Sequence, residues 1–269
     1  MSNQKSSGGN KIGSFFASIV IFSSIVVCTL VYLFVLGADS NFSEGGPELG
    51  HPENTLGIIY KGGFIVPILM AIVVIILAFT IERFLTIAQA KGKGSLSQFI
   101  LGLKNKINNN QFDAAIAECD KQKGSLANVM RSGLVKYSEL VKDAGMDKEQ
   151  KLAAMQKELE EATSLELPML SKNLVIISTC ASIATLVGLI GTVLGMIKAF
   201  SALAQAGAPD AVALANGISE ALINTALGIS GSTIAIIMYN YFSTQIDNLT
   251  YKIDESGYSL LATLDANVK

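Results

Sequence analysis

Glu220-Ala-Leu-Ile-Asn-Thr-Ala-Leu-Gly-Ile-Ser-Gly-Ser-Thr-Ile-Ala-Ile-Ile-Met-Tyr-Asn-Tyr-Phe-Ser-Thr-Gln-Ile-Asp247 decides the fold. Between the two acids lies an uncharged run, residues 221–246, longer than the roughly 20 apolar residues that carry a helix across a bilayer core at about 1.5 Å per residue. Soluble core helices rarely stay uncharged for so long. Working outward, three further windows qualify: residues 12–36; residues 64–81, extended by apolar residues beyond Glu82 and Arg83 to a span of 64–88; and residues 173–197, within a span of 173–199. The whole chain has a mean hydropathy of +0.46. Only 16% of its residues are charged, against about 25% in soluble domains. An all-α, multi-span transmembrane protein is expected, with long helices extending into a cytoplasmic helical bundle.

The charge pattern orients it. Nearly all Lys and Arg lie between Arg83 and Lys172 or near the two ends, while the segments between the first and second spans and between the third and fourth hold only Lys61 and Lys198 near their edges. The positive-inside rule then places both termini and the 89–172 helical domain in the cytoplasm. Residues 37–63 and 200–220 become periplasmic loops, residues 1–11 a disordered N-terminus, and residues 247–269 a cytoplasmic C-terminal helix. The first span competes with a secretory signal, but its apolar run is long and lacks a small-x-small cleavage site before Ala38, which favours an uncleaved anchor.

Within the cytoplasmic region Leu96, Phe99, Ile100 and Leu103 recur at helical spacing, Asn108 to Asn110 interrupt, and Phe112 to Cys119 resume. Asp147 can cap a helix whose apolar positions Leu152, Met155, Leu159 and Ala162 step by three and four. That helix is expected to run on into the third span with a kink at Pro168. Cys28, Cys119 and Cys180 are scattered, and His51 stands beside Pro52 in a loop, so no metal site is indicated. No phosphate loop or hydrolytic triad is visible, which argues against an enzyme, and no basic nucleic-acid surface is indicated.

The third span is polar in an ordered way. Ser178, Ser182, Thr185, Gly188, Thr192 and Gly195 fall on one helix face, and Ala221, Thr225, Gly228 and Ser232 repeat the device in the fourth. Small residues let helices approach closely, and Gly191-x-x-x-Gly195 is a common membrane packing pattern. The same stripes, with Asn224, can instead line a polar lumen in which Thr192 and Thr225 offer hydroxyls to an ion or a carboxylic acid. Both readings stay open. No ionisable residue lies mid-span, and Glu220 stands only at the edge. Proton relays in membranes rest on a buried ionisable group, so any titrating carboxylate must come from another subunit.

Gly188-Leu-Ile-Gly-Thr-Val-Leu-Gly-Met-Ile-Lys-Ala-Phe200, followed by Gly217-Ile-Ser-Glu-Ala-Leu-Ile-Asn-Thr-Ala-Leu-Gly-Ile229 and Tyr239-Asn240, resembles the MotA/TolQ/ExbB proton-channel family, on its ExbB and TolQ side. Ile81-Glu-Arg-Phe-Leu85 is a weaker match. The resemblance implies an inner-membrane homopentamer around an ExbD-like or TolR-like single-span partner whose transmembrane aspartate carries the proton. Work would pass to a TonB-like or TolA-like transducer, or serve a gliding-type motor. It also implies that Thr192 and Thr225 face that aspartate and that Glu220 matters functionally; no cofactor is implied. The chain departs from the family where prolines are common, with Thr185, Asn216 and Ile234 in their places, and it carries the extra span 12–36. The added polarity of Thr185 and Asn224 raises sodium as an alternative ion, with the proton preferred.

Overall fold

The computed structural model describes residues 7–43, 45–141, 145–204 and 210–267. Helix α1 (Ser7–Val31) runs into a π-helical turn, Tyr32–Leu36, followed by a 3-10 turn, Asp39–Asn41. Then come α2 (Gly46–Leu49), α3 (Thr55–Tyr60), α4 (Ile65–Ala90), α5 (Leu96–Asn108), α6 (Phe112–Gln122), α7 (Gly124–Val141), α8 (Lys148–Ser171), α9 (Leu174–Leu203) and α10 (Ala211–Asn267). Among the described residues there is no strand, only an isolated bridge between Phe42 and Pro52. Four helical stretches are long and apolar enough to cross a membrane: Ala17–Leu36, Ile65–Ala90, Lys148–Leu203 and Ala211–Ala266. The protein is thus an all-α, multi-span membrane protein, as expected.

Residues 1–6, the start of the segment read as disordered, lie outside the described residues; from Ser7 the chain is helical. Residues 205–209 of the loop read at 200–220 also lie outside them. α10 begins at Ala211, where the Asp210 carboxylate accepts from the Val212 and Ala213 amides at 2.9 Å each. Such a cap satisfies amides that the first helical turn leaves without partners.

The chain forms two compact units. One comprises Met1–Thr80 and Ile176–Tyr239. In it α4 buries Val66, Leu69, Ile72, Ile76 and Phe79, a three-and-four spacing that puts one face inward. Phe22 and Phe34 of the first span point outward, as lipid permits. Residues 37–63 are ordered by a pair of asparagines. Buried Asn41 donates to the Val35 and Leu36 carbonyls (2.7 and 3.0 Å), which end a helix and lack amide partners. Its own carbonyl accepts from Asn54 (2.9 Å), and Asn54 caps α3 by accepting from the Gly57 amide (2.9 Å). Tyr32 stacks on Tyr60 with ring centroids 4.6 Å apart, and its hydroxyl donates to the Tyr60 carbonyl.

The second unit comprises Ile81–Val175 and Asn240–Lys269. Its core gathers Phe99, Leu103 and Ile107 of α5, Cys119 of α6, Met130, Leu134 and Tyr137 of α7, Met155 and Leu159 of α8, and Ile253, Leu260 and Leu264 of α10. Asp147 does cap α8, in a reciprocal capping box with Gln150 (2.8 and 3.2 Å). The expectation of one helix from α8 into the third span, bent at Pro168, needs correction. The helix passes Pro168 and breaks instead at Lys172–Asn173. A break leaves the preceding carbonyls without donors. Arg83, only 2% exposed, fills one vacancy: its Nη1 donates to the Leu170 carbonyl at 2.9 Å, while Glu82 holds Nε and Nη2 at 2.7 and 2.5 Å.

Candidate functional site

The small residues of α9 and α10 face one another. A Cβ built on Gly188 would stand 3.0 Å from the Asn224 carbonyl oxygen and 3.1 Å from Gly228 Cα; one on Gly195 would meet the Ala221 amide at 2.6 Å; one on Gly228 would meet the Ala184 carbonyl at 2.7 Å. Gly191 abuts the Asn224 side chain directly. These glycines form the seam that lets the two backbones close, the geometry small-residue motifs serve in membranes.

At this seam the Thr192 and Thr225 hydroxyls, both half-buried, hydrogen-bond to each other. Each also lies within reach of its own helix, Thr192 of the Gly188 carbonyl (3.2 Å) and Thr225 of the Ala221 carbonyl (3.1 Å). A hydroxyl carries one proton and two lone pairs. When one threonine donates across the seam, the other donates to its own backbone, and lone pairs remain for a third group. The pair can accept from a carboxylic acid or, after rotating a proton, donate to a carboxylate.

One turn and a half toward the α10 N-terminus, Glu220 is 7% exposed. Lys198 of α9 donates to both its oxygens, at 2.7 and 2.8 Å. Gly63, with φ at +76°, lies under the same carboxylate. Asn224, fully buried, donates to the Gly62 carbonyl at 2.8 Å. The turn between α3 and α4 is therefore the seat on which α10 rests just before Thr225. Sequence reading missed Lys198 and this seat; the Gly62-Gly63 doublet was their only signal.

Of the remaining candidates, Ser178, Ser182, Thr185 and Ser232 do not reach the threonine pair. They line a separate groove of about 320 Å³ with Tyr239. The structure thus divides the candidate residues into a glycine seam, a hydroxyl pair flanked by Asn224 and Glu220, and a polar groove.

Four apolar helical stretches among the described residues, two of them joined by a close-packed seam with a hydroxyl pair, define the chain as a polytopic membrane protein. It belongs to the MotA/TolQ/ExbB proton channel family, which matches residues 121–255, half of the chain. Over 121 residues it is 33% identical to the Tol-Pal system protein TolQ of Pseudomonas aeruginosa, covering 45% of this chain and 52% of that protein. It is 33% identical over 86 residues to the biopolymer transport protein ExbB of Pseudomonas putida, covering 32% and 26% respectively. A putative biopolymer transport protein ExbB homolog of Methanothermobacter thermautotrophicus shares 27% over 173 residues, 61% of each chain. The matched stretch spans about half or less of the length of the first of these curated relatives.

Proposed function

We propose that the chain is the wall-forming subunit of an ion-driven motor of the ExbB–ExbD type in the bacterial inner membrane, a conducting component and not an enzyme. In this reading a homopentamer encloses the helix of an ExbD-like partner, whose aspartate docks against the Thr192–Thr225 pair. Proton motive force becomes mechanical work passed to a TonB-like transducer for outer-membrane active transport. The observation that carries it is the hydroxyl pair, presented on two spans that contain no ionisable residue at mid-depth. A buried acid is what a membrane proton relay requires, and these hydroxyls are suited to a borrowed one. Gly195 and its neighbours supply the packing that holds the pair in place.

The decisive experiment is the Thr192→Val, Thr225→Val double variant, which keeps side-chain shape and removes both hydroxyls. Proton-driven uptake should fall by about a hundredfold, the scale of a lost proton-transfer group, while the complex still assembles. Undiminished uptake with assembly intact sinks the reading. Bulky replacement of Gly191 or Gly195 should instead break the oligomer, and hydroxyl loss without consequence would favour a structural scaffold. The TolQ-type alternative is supported by the TolQ relative, matched over 121 residues. It predicts rescue of envelope integrity, and not of siderophore uptake, in a strain lacking the corresponding subunit.

A further inference from the structure

The groove lined by Ser178, Ser182 and Thr185 of α9 and by Ser232 and Tyr239 of α10 is chemically unlike the rest of these helices. On the same two helices Thr192, Thr225, Thr233, Thr244 and Thr250 each have the carbonyl four residues back as a partner. None of the five groove hydroxyls has a hydrogen-bond partner among the described residues. Ser232 is the sharpest case, because it is only 8% exposed and what remains exposed faces the groove. Hydroxyls without partners are unfavourable in hydrocarbon, so a membrane segment that gathers five of them around one space must supply partners from elsewhere. At roughly 30 Å³ per water molecule, a space of about 320 Å³ has room for about ten. Thr185 and Ser232 each lie seven residues from the threonine pair, Thr185 before Thr192 and Ser232 after Thr225. At about 1.5 Å per residue the groove begins some 10 Å from the pair.

We propose that this groove is a hydrated half-path whose ligand is water, ordered by the five hydroxyls and carrying protons between the Thr192–Thr225 pair and the level of Tyr239, about 10 Å short of Asp247 at the end of the span. The inference rests on the channel reading above. The hydroxyls hydrogen-bond to the waters and hold them in file, and the proton hops from water to water, each water breaking one O–H bond as it gains another, so that a proton enters at one end as another leaves at the other and no bond of the protein is made or broken. Thr185 widens the polar lining where the family commonly has a proline.

Accessibility to a charged, water-borne thiol reagent tests it in the assembled complex. With Cys28, Cys119 and Cys180 replaced by alanine, single cysteines are placed at Ser182, Thr185 or Ser232, and at Ile183 or Ile190, exposed apolar residues on a face of α9 turned away from the groove. A sulfonated methanethiosulfonate attacks only thiolate, which needs water, so the groove positions should react about tenfold faster than the apolar ones. Equal, slow labelling at every position overturns the proposal, whether lipid or a partner helix fills the space; three groove positions guard against one variant failing to fold. The double variant Ser182→Ala, Ser232→Ala should lose most proton-driven uptake while still assembling. Unchanged uptake removes the groove from the path even if it is wet. Failure of the channel reading shows separately, as full activity in the Thr192→Val, Thr225→Val protein with the labelling pattern intact; the groove then remains wet and its place on a proton path falls.

Discussion

At the scale of single residues, Glu220 is held from two sides. Lys198 neutralises it, and Gly63 leaves room for it. Gly63 has φ at +76°, and a Cβ there would lie 2.6 Å from Glu220 Oε1, so Gly63→Ala meets both a left-handed backbone and a displaced carboxylate. Gly94 is the natural control, with φ at +80° and nothing within 4 Å of its Cβ position. Gly94→Ala should cost about 1–2 kcal/mol, the left-handed term alone. Gly63→Ala should cost about 1–3 kcal/mol more, the size of an overpacking penalty, and should lower uptake as Glu220 shifts. Thermal melts in detergent together with uptake assays check both, and equal effects of the two substitutions would remove the steric role given to Gly63. Asn224 makes a similar case. Asn224→Ala strands the Gly62 carbonyl in a buried place, with an expected loss of about 1–3 kcal/mol. The small-residue faces of α9 and α10 were legible in the sequence because spacing along one helix determines a shared face; that Thr192 and Thr225 pair with each other across the seam was not. Lys198 and Gly62 were not, because their partners lie 22 and 162 residues away and only the folded chain brings them together.

At the scale of elements, local signals and long-range ones part company along α8. The Asp147 cap was readable from the sequence, and the structure adds the reciprocal bond from Gln150 within the same four residues. The break at Lys172–Asn173 is supported by Arg83, 87 residues before Leu170, and no local pattern announces it. Arg83→Met keeps the aliphatic stem, removes the donor to Leu170 and leaves Glu82 with Thr86 but no cation, so the second unit should lose about 1–3 kcal/mol. A proteolysis assay should then show new cleavage near Lys172, and an unaltered digestion pattern would mean that Arg83 does not hold the junction. In the same unit α6 buries Cys119, and burial, reinforced by the neighbouring Asp120, pushes its thiol up to about 12. An unfolded thiol titrates near 8.5, so the native state keeps the proton that the unfolded state releases. The stabilisation from this neutral thiol is whole below about pH 8.5 and is lost as pH rises from there toward 12. Iodoacetamide at pH 8 should label Cys119 only when the unit is unfolded; rapid labelling of the native protein would show that the core around α6 is open.

At the scale of the whole molecule, length and charge together dictate sidedness. The 57 residues of α10 measure about 85 Å at 1.5 Å per residue, against about 30 Å of hydrocarbon. More than half of the helix must therefore lie outside the bilayer, divided between its two ends: the ten residues from Ala211 to Glu220 and the 21 from Asp247 to Asn267, which carry most of the charges. We infer that all four apolar stretches among the described residues cross the membrane; an even number of crossings puts the segments before the first and after the fourth on one side, together with the Lys-rich stretch between the second and third. From the energetic preference for retaining Lys and Arg inside, we propose that this side is the cytoplasm. Residues 37–63, pinned by Asn41 and Asn54 against the ends of the first span and α3, then face outward. A single cysteine in place of Glu53, exposed in that loop, should react in intact cells with an outer membrane permeable to a charged maleimide, and one in place of Lys136, in α7, should react only after the cells are broken. The opposite pattern would invert the molecule. It would carry the Lys-rich helical unit across the membrane, and the groove ending at Tyr239 would then open to the side from which protons enter instead of the side to which they are delivered.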